Sequence, residues 1–218
     1  MTDLAVTNGQ ERLLLTILRS FEALAADQYH RTIGVLLGDE KHHLLEQLDA
    51  QVPTDEALET TDLAPPVKHL LTLLRSQDKI QVLIVQGLIL ELLGQTIYKT
   101  VSESAASSPA MRRLCDQGLH ANAETRRHVV EALRQEFPQR DNPPGADLLD
   151  ALIARSGPVL DQLNTLGEGL DQHFGEAFGI HFADLMAEFA SELLVVCTGL
   201  GADRRRLVGF LTRIMMAG

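Results

Sequence analysis

The sequence predicts an all-α fold, and three observations carry that expectation. No stretch alternates apolar and polar residues with the period of two that a half-buried strand needs. Apolar residues recur instead at spacings of three and four, and proline, glycine and cap residues fall where helices should start and stop. The expectation is a single helical domain over residues 1–218, a bundle of six or seven helices with short connections.

Taken in order, the first element is a stripe over residues 11–48 that runs through Leu15, Leu18, Glu22, Ala26, Ile33, Leu37, Glu40, Leu44 and Leu48. It keeps its phase and predicts one long helix, with Gly34 and Gly38 as the place for a kink. "VPTDEALETTDLAPP" is a loop, and Pro65 or Pro66 then opens a short helix to about Arg75. "DKIQVLIVQGLILELLGQTIYKTV" is apolar nearly all round, which predicts a helix at the centre of the core. Ser108 as N-cap and Pro109 at the first helical position start the next helix, which stops near Glu136 at "FPQRDNPPG". Asp147 can cap a further helix, interrupted at Gly157 and Pro158. Two more are expected, over about 176–198 and 203–216, divided by "GLGAD". The chain shows no internal repeat and no low-complexity tract.

Composition narrows the function. With 218 residues, 45% of them apolar and 22% charged, the chain can bury a sizeable core. Aromatic residues are only 4% and Trp is absent, so stacking platforms for bases or sugars are not expected. A net charge of -11 argues against nucleic acid and anionic membrane as partners, because both need clustered Lys and Arg. The one basic run, Arg204 to Arg206, reads as a solvated helix start. Cys115 and Cys197 have no CxxC spacing and read as buried thiols in a reducing compartment. The stretch "MTDLAVTNGQER" lacks the basic-then-apolar pattern of a signal peptide, and the run 80–93 is interrupted by polar side chains and short for a bilayer. A cytoplasmic protein with no nucleic-acid or membrane partner is the expectation.

Acids within apolar helix faces are the informative residues, since burying a lone carboxylate is costly unless something pairs with it. Glu91, in "LILELLG", shares its face with Ile84, Gly87, Leu88, Gly94 and Tyr98, and the two glycines would admit a close neighbour. It reads either as a metal ligand or as a Glu paired with an Arg, Tyr98 or Gln95. Glu40 and His43, in "GDEKHHLLEQL", are three apart and share a helix face, the spacing by which a bundle helix offers one carboxylate and one imidazole to a metal. If a helix starts at Asp39 instead, Glu40 is a first-turn acid favouring the dipole. His42 points elsewhere. Glu22, with Tyr29 and His30 nearby, lies on the same stripe as Glu40, but roughly 27 Å of continuous helix separates them. They share a site only if the chain folds back, and a hairpin near Ala26 would instead bring Glu11 level with Glu40.

"LHANAETRRHVV" sets His120, Glu124 and His128 four residues apart along one ridge, where two imidazoles and a carboxylate could converge on a cation. The apolar face of the same helix, Leu114, Gly118, Ala121, Val129 and Ala132, lies away from His120, so the ridge reads equally as a solvated surface of ion pairs. A rival set, His181, Glu188 and Glu192 with His173 and Glu176 before it, borders the Phe-rich face Phe178, Phe182, Leu185 and Phe189. It reads as core with a solvated margin or as the lining of a hydrophobic pocket. No G-x-S-x-G, Walker loop, dinucleotide fingerprint or H-E-x-x-H is present.

"DEKHH", the apolar helix with Glu91, and "HANAETRRH" together resemble the ferritin-like carboxylate-bridged di-iron proteins, in particular the p-aminobenzoate N-oxygenase type. That type carries an additional His before the Glu and His of its last ligand helix. The order matches over 40–128, although Glu124 and His128 are four apart where the family has three. The heme-oxygenase-like di-iron oxidases are a second relative that the pattern resembles. The resemblance implies Glu40, His43, Glu91, Glu124 and His128 as iron ligands, His120 as the additional imidazole, and Glu22 as a candidate from the first helix. It implies two iron ions, with manganese as the alternative metal, and an oxygenase or oxidase acting on a small organic substrate with dioxygen. The competing expectation is a metal-free all-α interaction module, a homodimer through its last helices.

Overall fold

The first helix, α1 (Gly9–Thr32), opens on Asn8, whose side chain accepts a hydrogen bond from the Gln10 backbone N–H at 2.9 Å. In this computed structural model, which describes residues 8–33, 39–76, 78–138 and 146–216 without the side chains of 39, 40, 146 and 216, a separate helix α2 (Asp39–Gln51) follows. The single long helix expected over 11–48 is therefore two. They run antiparallel, since Arg19 reaches Asp49 at 2.5 Å while Glu22 further along α1 reaches Lys41 near the start of α2. Folding back buries both stripes, Leu15, Leu18, Glu22, Ala25 and Tyr29 on α1 and Lys41, Leu44 and Leu48 on α2. A straight helix would leave much of that apolar surface in water. The kink expected at Gly34 and Gly38 lies outside the described residues.

A short helix α3 (Glu56–Glu59) forms inside the expected loop, and α4 (Ala64–Leu74) carries proline in its first turn as predicted. The central element is α5 (Lys79–Glu103), capped by Asp78, whose carboxylate accepts from the N–H groups of Ile80 (2.9 Å) and Gln81 (3.3 Å). Its Val82–Leu90 segment winds as a π-helix that ends immediately before Glu91. This helix is long and apolar enough to cross a membrane, but 67% of its most apolar window is buried inside the bundle. That burial explains why it is apolar all round.

Helix α6 (Pro109–Glu136) begins at Ser108, whose hydroxyl accepts from the Met111 N–H at 3.2 Å. Glu11 is buried here and nowhere near α2. Its carboxylate accepts from the Ser108 N–H (2.7 Å) and hydroxyl (3.0 Å), tying α1 to the positive end of α6. The α5–α6 crossing is close because glycine allows it. A Cβ at Gly118 would stand 2.6 Å from the Tyr98 ring, and one at Gly87 would stand 2.5 Å from Val129.

The next helix, α7 (Ala146–Leu170), continues through a π turn (Asp171–Gly175) and a last turn (Glu176–Phe178). The interruption expected at Gly157 and Pro158 does not occur, and Asp147 lies in the first turn rather than at a cap. One lost hydrogen bond at Pro158 costs less than breaking the buried stripe of Leu148, Leu149, Leu152, Val159, Leu160, Leu163 and Leu166. The break comes at Gly179 instead, in the left-handed region at φ 71, so the helix expected over 176–198 starts later as α8 (Phe182–Gly199). Asp203 then accepts from the Arg206 N–H at 2.8 Å and starts α9 (Arg204–Met216). The described residues thus form nine helices and no strand, an all-α bundle in which α1, α6, α7 and α8 pack around α5. The exposed large apolar side chains, Val195, Val208 and Met215, lie on α8 and α9.

Candidate functional site

Four helices send polar side chains into the middle of the bundle. Glu22 and Tyr29 come from α1, Lys41 from α2, Glu91 and Tyr98 from α5, and Asn122 from α6, all of them buried. At the centre is the Lys41 ammonium, on a side chain only 1% exposed. It makes its shortest contact with Glu22 Oε2, donates to both oxygens of Glu91 at 3.3 Å and donates to Asn122 Oδ1 at 3.0 Å. Tyr98 donates to Glu22 Oε1 at 2.9 Å, and Tyr29 donates to Glu91 Oε1 at 3.1 Å. The three protons of the ammonium meet three acceptor groups, so a cation that would otherwise be ruinous to bury is satisfied.

The charges do not balance if every group is ionised, because one ammonium faces two carboxylates. Lys41 sits closer to Glu22, and Glu91 is the surplus acid. Burial pushes the Glu91 carboxyl up to about 7, with Lys41 opposing the rise and the Glu22 charge adding to it. Burial alone would lower the Lys41 ammonium, but Glu22 and Glu91 outweigh it and hold it above its ordinary value. Lys41 is therefore a fixed cation and not a nucleophilic amine. Both phenols are pushed well up, first by burial and then by the carboxylates they serve, so they stay protonated donors.

Of the residues singled out in the sequence, Glu22 and Glu91 meet in this cluster. Glu91 is paired, as one reading required, but with Lys41 and Tyr29; Tyr98 goes to Glu22. The Glu40 side chain lies outside the described residues. His43 is exposed and contacts Gln47 on its own helix. His120 and His128 are exposed on the outer face of α6, and Glu124 between them pairs with Arg127 and lies 3.5 Å from His128. The hydrogen bond from Arg127 holds the Glu124 carboxyl below its usual range. The structure does not bring this ridge to Glu22 and Glu91. In the rival set Glu188 pairs with Lys99 at 2.7 Å, Glu192 is 3.9 Å from Arg126, and His173 meets Asp62 at 2.7 Å. Lys41 and Asn122 were not read from the sequence as site residues. The available signal was register: once α2 starts at Asp39, Lys41, Leu44 and Leu48 make its inner face.

Whether these residues fit a pair of iron or manganese ions can be tested against the bundle pattern. In di-iron carboxylate bundles two helices give one Glu each and two others give a Glu-x-x-His pair, all projecting inward. Glu22 and Glu91 are suited to the two single positions. On α2 and α6 the buried three-apart pairs that start from a residue of the cluster are Lys41 with Leu44 and Asn122 with Thr125. Leu44 has no donor atom, and the Thr125 hydroxyl is spent on the Ala121 carbonyl at 3.0 Å. An ammonium repels a metal ion where a carboxylate would bind it. Among the described residues no group of three or more His, Cys, Asp or Glu side chains is placed to hold a metal ion. The described residues do not fit two iron ions.

Beside the cluster, between α1, α5 and α7, lies a cavity of about 70 Å³. Its walls are apolar, including Leu18, Phe21, Leu93, Ile97, Leu163 and Leu166, and its polar lining is Glu22, Glu91 and Asn122. The Asn122 carbonyl is engaged by Lys41, which turns its NH2 toward Gly94 on the same cavity wall, 3.2 Å from where a Cβ would stand.

No family model matches the chain, and no curated protein matches it in sequence. Among solved structures it is similar to protein 19 with aldehyde deformylating oxidase activity from Synechococcus, at a TM-score of 0.70 and 14% identity. The similarity covers 95% of this chain and 98% of that one, so the two share one helical fold from end to end.

Proposed function

We propose that the chain binds a small, neutral aliphatic molecule with an oxygen head group, an aldehyde or an alcohol, in the cavity beside the Glu22–Lys41–Glu91 cluster. The observation that carries this reading is the pairing of an apolar cavity with a polar end at which, among the described residues, the Asn122 NH2 is a donor. A carbonyl or hydroxyl oxygen can accept from the Asn122 NH2, which an ammonium, having donors alone, cannot do. The carboxylates of the cluster repel an anionic head group. The cavity is about half the size of the ~150 Å³ apolar cavity that takes up benzene, which limits the ligand to a short chain unless side chains shift. The fold likeness to a protein with aldehyde deformylating oxidase activity supports the aldehyde class.

The test is thermal denaturation of the native protein and of Asn122→Leu with short homologous aldehydes, alcohols, carboxylates and amines. Aldehydes or alcohols should raise the native melting temperature by mass action, and Asn122→Leu should lose most of that rise. The reading fails if no series stabilises the protein, if carboxylates or amines do so equally, or if the variant responds like the parent.

A second reading, a dioxygen-using di-iron oxidoreductase, is supported by that oxidase fold and by the burial of Glu22 and Glu91 together. It requires iron to displace Lys41 and predicts close to two iron ions per chain.

A further inference from the structure

We infer that the Lys41 ammonium stands in for the metal ions of a carboxylate-bridged bundle, and that positions 22, 41, 44, 91, 122 and 125 are a two-metal ligand shell with four of its members replaced. The geometry is the first support. The ammonium lies between the two remaining carboxylates and touches Glu22, Glu91 and Asn122, which come from three helices. A bridging cation would hold the same groups together.

The replacements are also chemically coherent. A site with four carboxylates needs four positive charges to bury without penalty. Lys41 and Asn122 remove two of those carboxylates, and the ammonium neutralises one of the two that stay. Leu44 and Thr125, at the imidazole positions three residues on, need nothing from a metal; Leu44 packs in the core and Thr125 bonds its own helix. One replacement alone would leave a half-built site with unpaired buried charge. The four together leave a hydrogen-bonded network with one surplus acid, Glu91.

A metal ion entering the native protein would have to break an ion pair and hydrogen bonds already made, with no imidazole to gain. The native chain therefore folds without metal, and its metal-binding capacity is latent in four positions.

The experiment uses the full chain, purified from cells supplemented with iron and manganese, then incubated anaerobically with ferrous iron and desalted. Elemental analysis should find less than about a tenth of a metal ion per folded native chain. Close to two would overturn the inference and favour the di-iron reading, whereas the aliphatic-ligand reading stands or falls on its own titration. The variant Lys41→Glu/Leu44→His/Asn122→Glu/Thr125→His should take up about two ferrous ions per chain and melt at a higher temperature with them. A folded variant that takes up none overturns the assignment of positions. Should that variant not fold, Lys41→Ala is read instead. Methylammonium, which returns an ammonium to the vacated space, should raise its melting temperature more than equal concentrations of sodium or tetramethylammonium. Equal effects of the three cations would overturn the stand-in role.

Discussion

The two faces of α6 carry similar chemistry under opposite conditions. On the outer face Glu124 pairs with Arg127 beside His128, and all three stand in solvent. On the inner face Asn122 helps hold Lys41 against Glu22 and Glu91, sealed from water. In water an ion pair trades one hydration shell for another and contributes little. In the core the alternative to the pair is an unneutralised charge, so the same contact becomes a condition of folding. His120, Glu124 and His128, the ridge that reads as a metal site, lie where little depends on them, and the decisive residue of the core is a lysine.

That contrast can be broken most severely at its centre. Lys41→Met keeps the length of the side chain and removes the charge, leaving Glu22 and Glu91 facing each other. The expected loss is about 3–5 kcal/mol of unfolding free energy, read by urea denaturation. Arg127→Met on the outer face should leave the curve unchanged. Comparable losses from the two variants would erase the distinction between the faces.

A smaller effect follows from the surplus acid. The Glu91 carboxyl is raised to about 7 in the folded protein, against an ordinary value of 4.5. Between those values the folded chain holds a proton that the unfolded chain has released. Stability therefore falls as pH rises from about 4.5 to about 7 and levels off above, by roughly 3 kcal/mol for this group. The native protein should show this decline in unfolding free energy, and Glu91→Gln should lack that part of it. The same pH dependence in both would place the surplus charge elsewhere.

The smallest effects belong to the outer ridge. His120→Ala and His128→Ala should each change stability by roughly half a kcal/mol or less, with no change in bound metal. If either variant alone lost metal that the native protein holds, the ridge would return to the site.

The register of α5, the Ser108–Pro109 start of α6 and the burial of Glu22 and Glu91 were all legible in the sequence. Each depends on spacing within one helix or on a local cap, which a periodic reading captures. The break after α1 is not legible because the phase of the stripe continues across 34–38, whereas the alternative start of a helix at Asp39 is the one the structure shows. With α2 antiparallel to α1, Lys41 lies on its inner face. Pro158 was misread in the other direction, because a local breaker yields where a buried stripe runs through it.

The sequence by itself determined that this chain is helical, that α5 is its core and that two acids on different helices must be buried. These follow from apolar periodicity and from the cost of stranding a carboxylate. Only the tertiary structure decided what neutralises those acids. The partner lies 19 residues from Glu22 and 50 from Glu91 along the chain. No helical period links groups on separate helices; the antiparallel turn and the close glycine-lined crossing of α5 and α6 bring Lys41 and Asn122 to them.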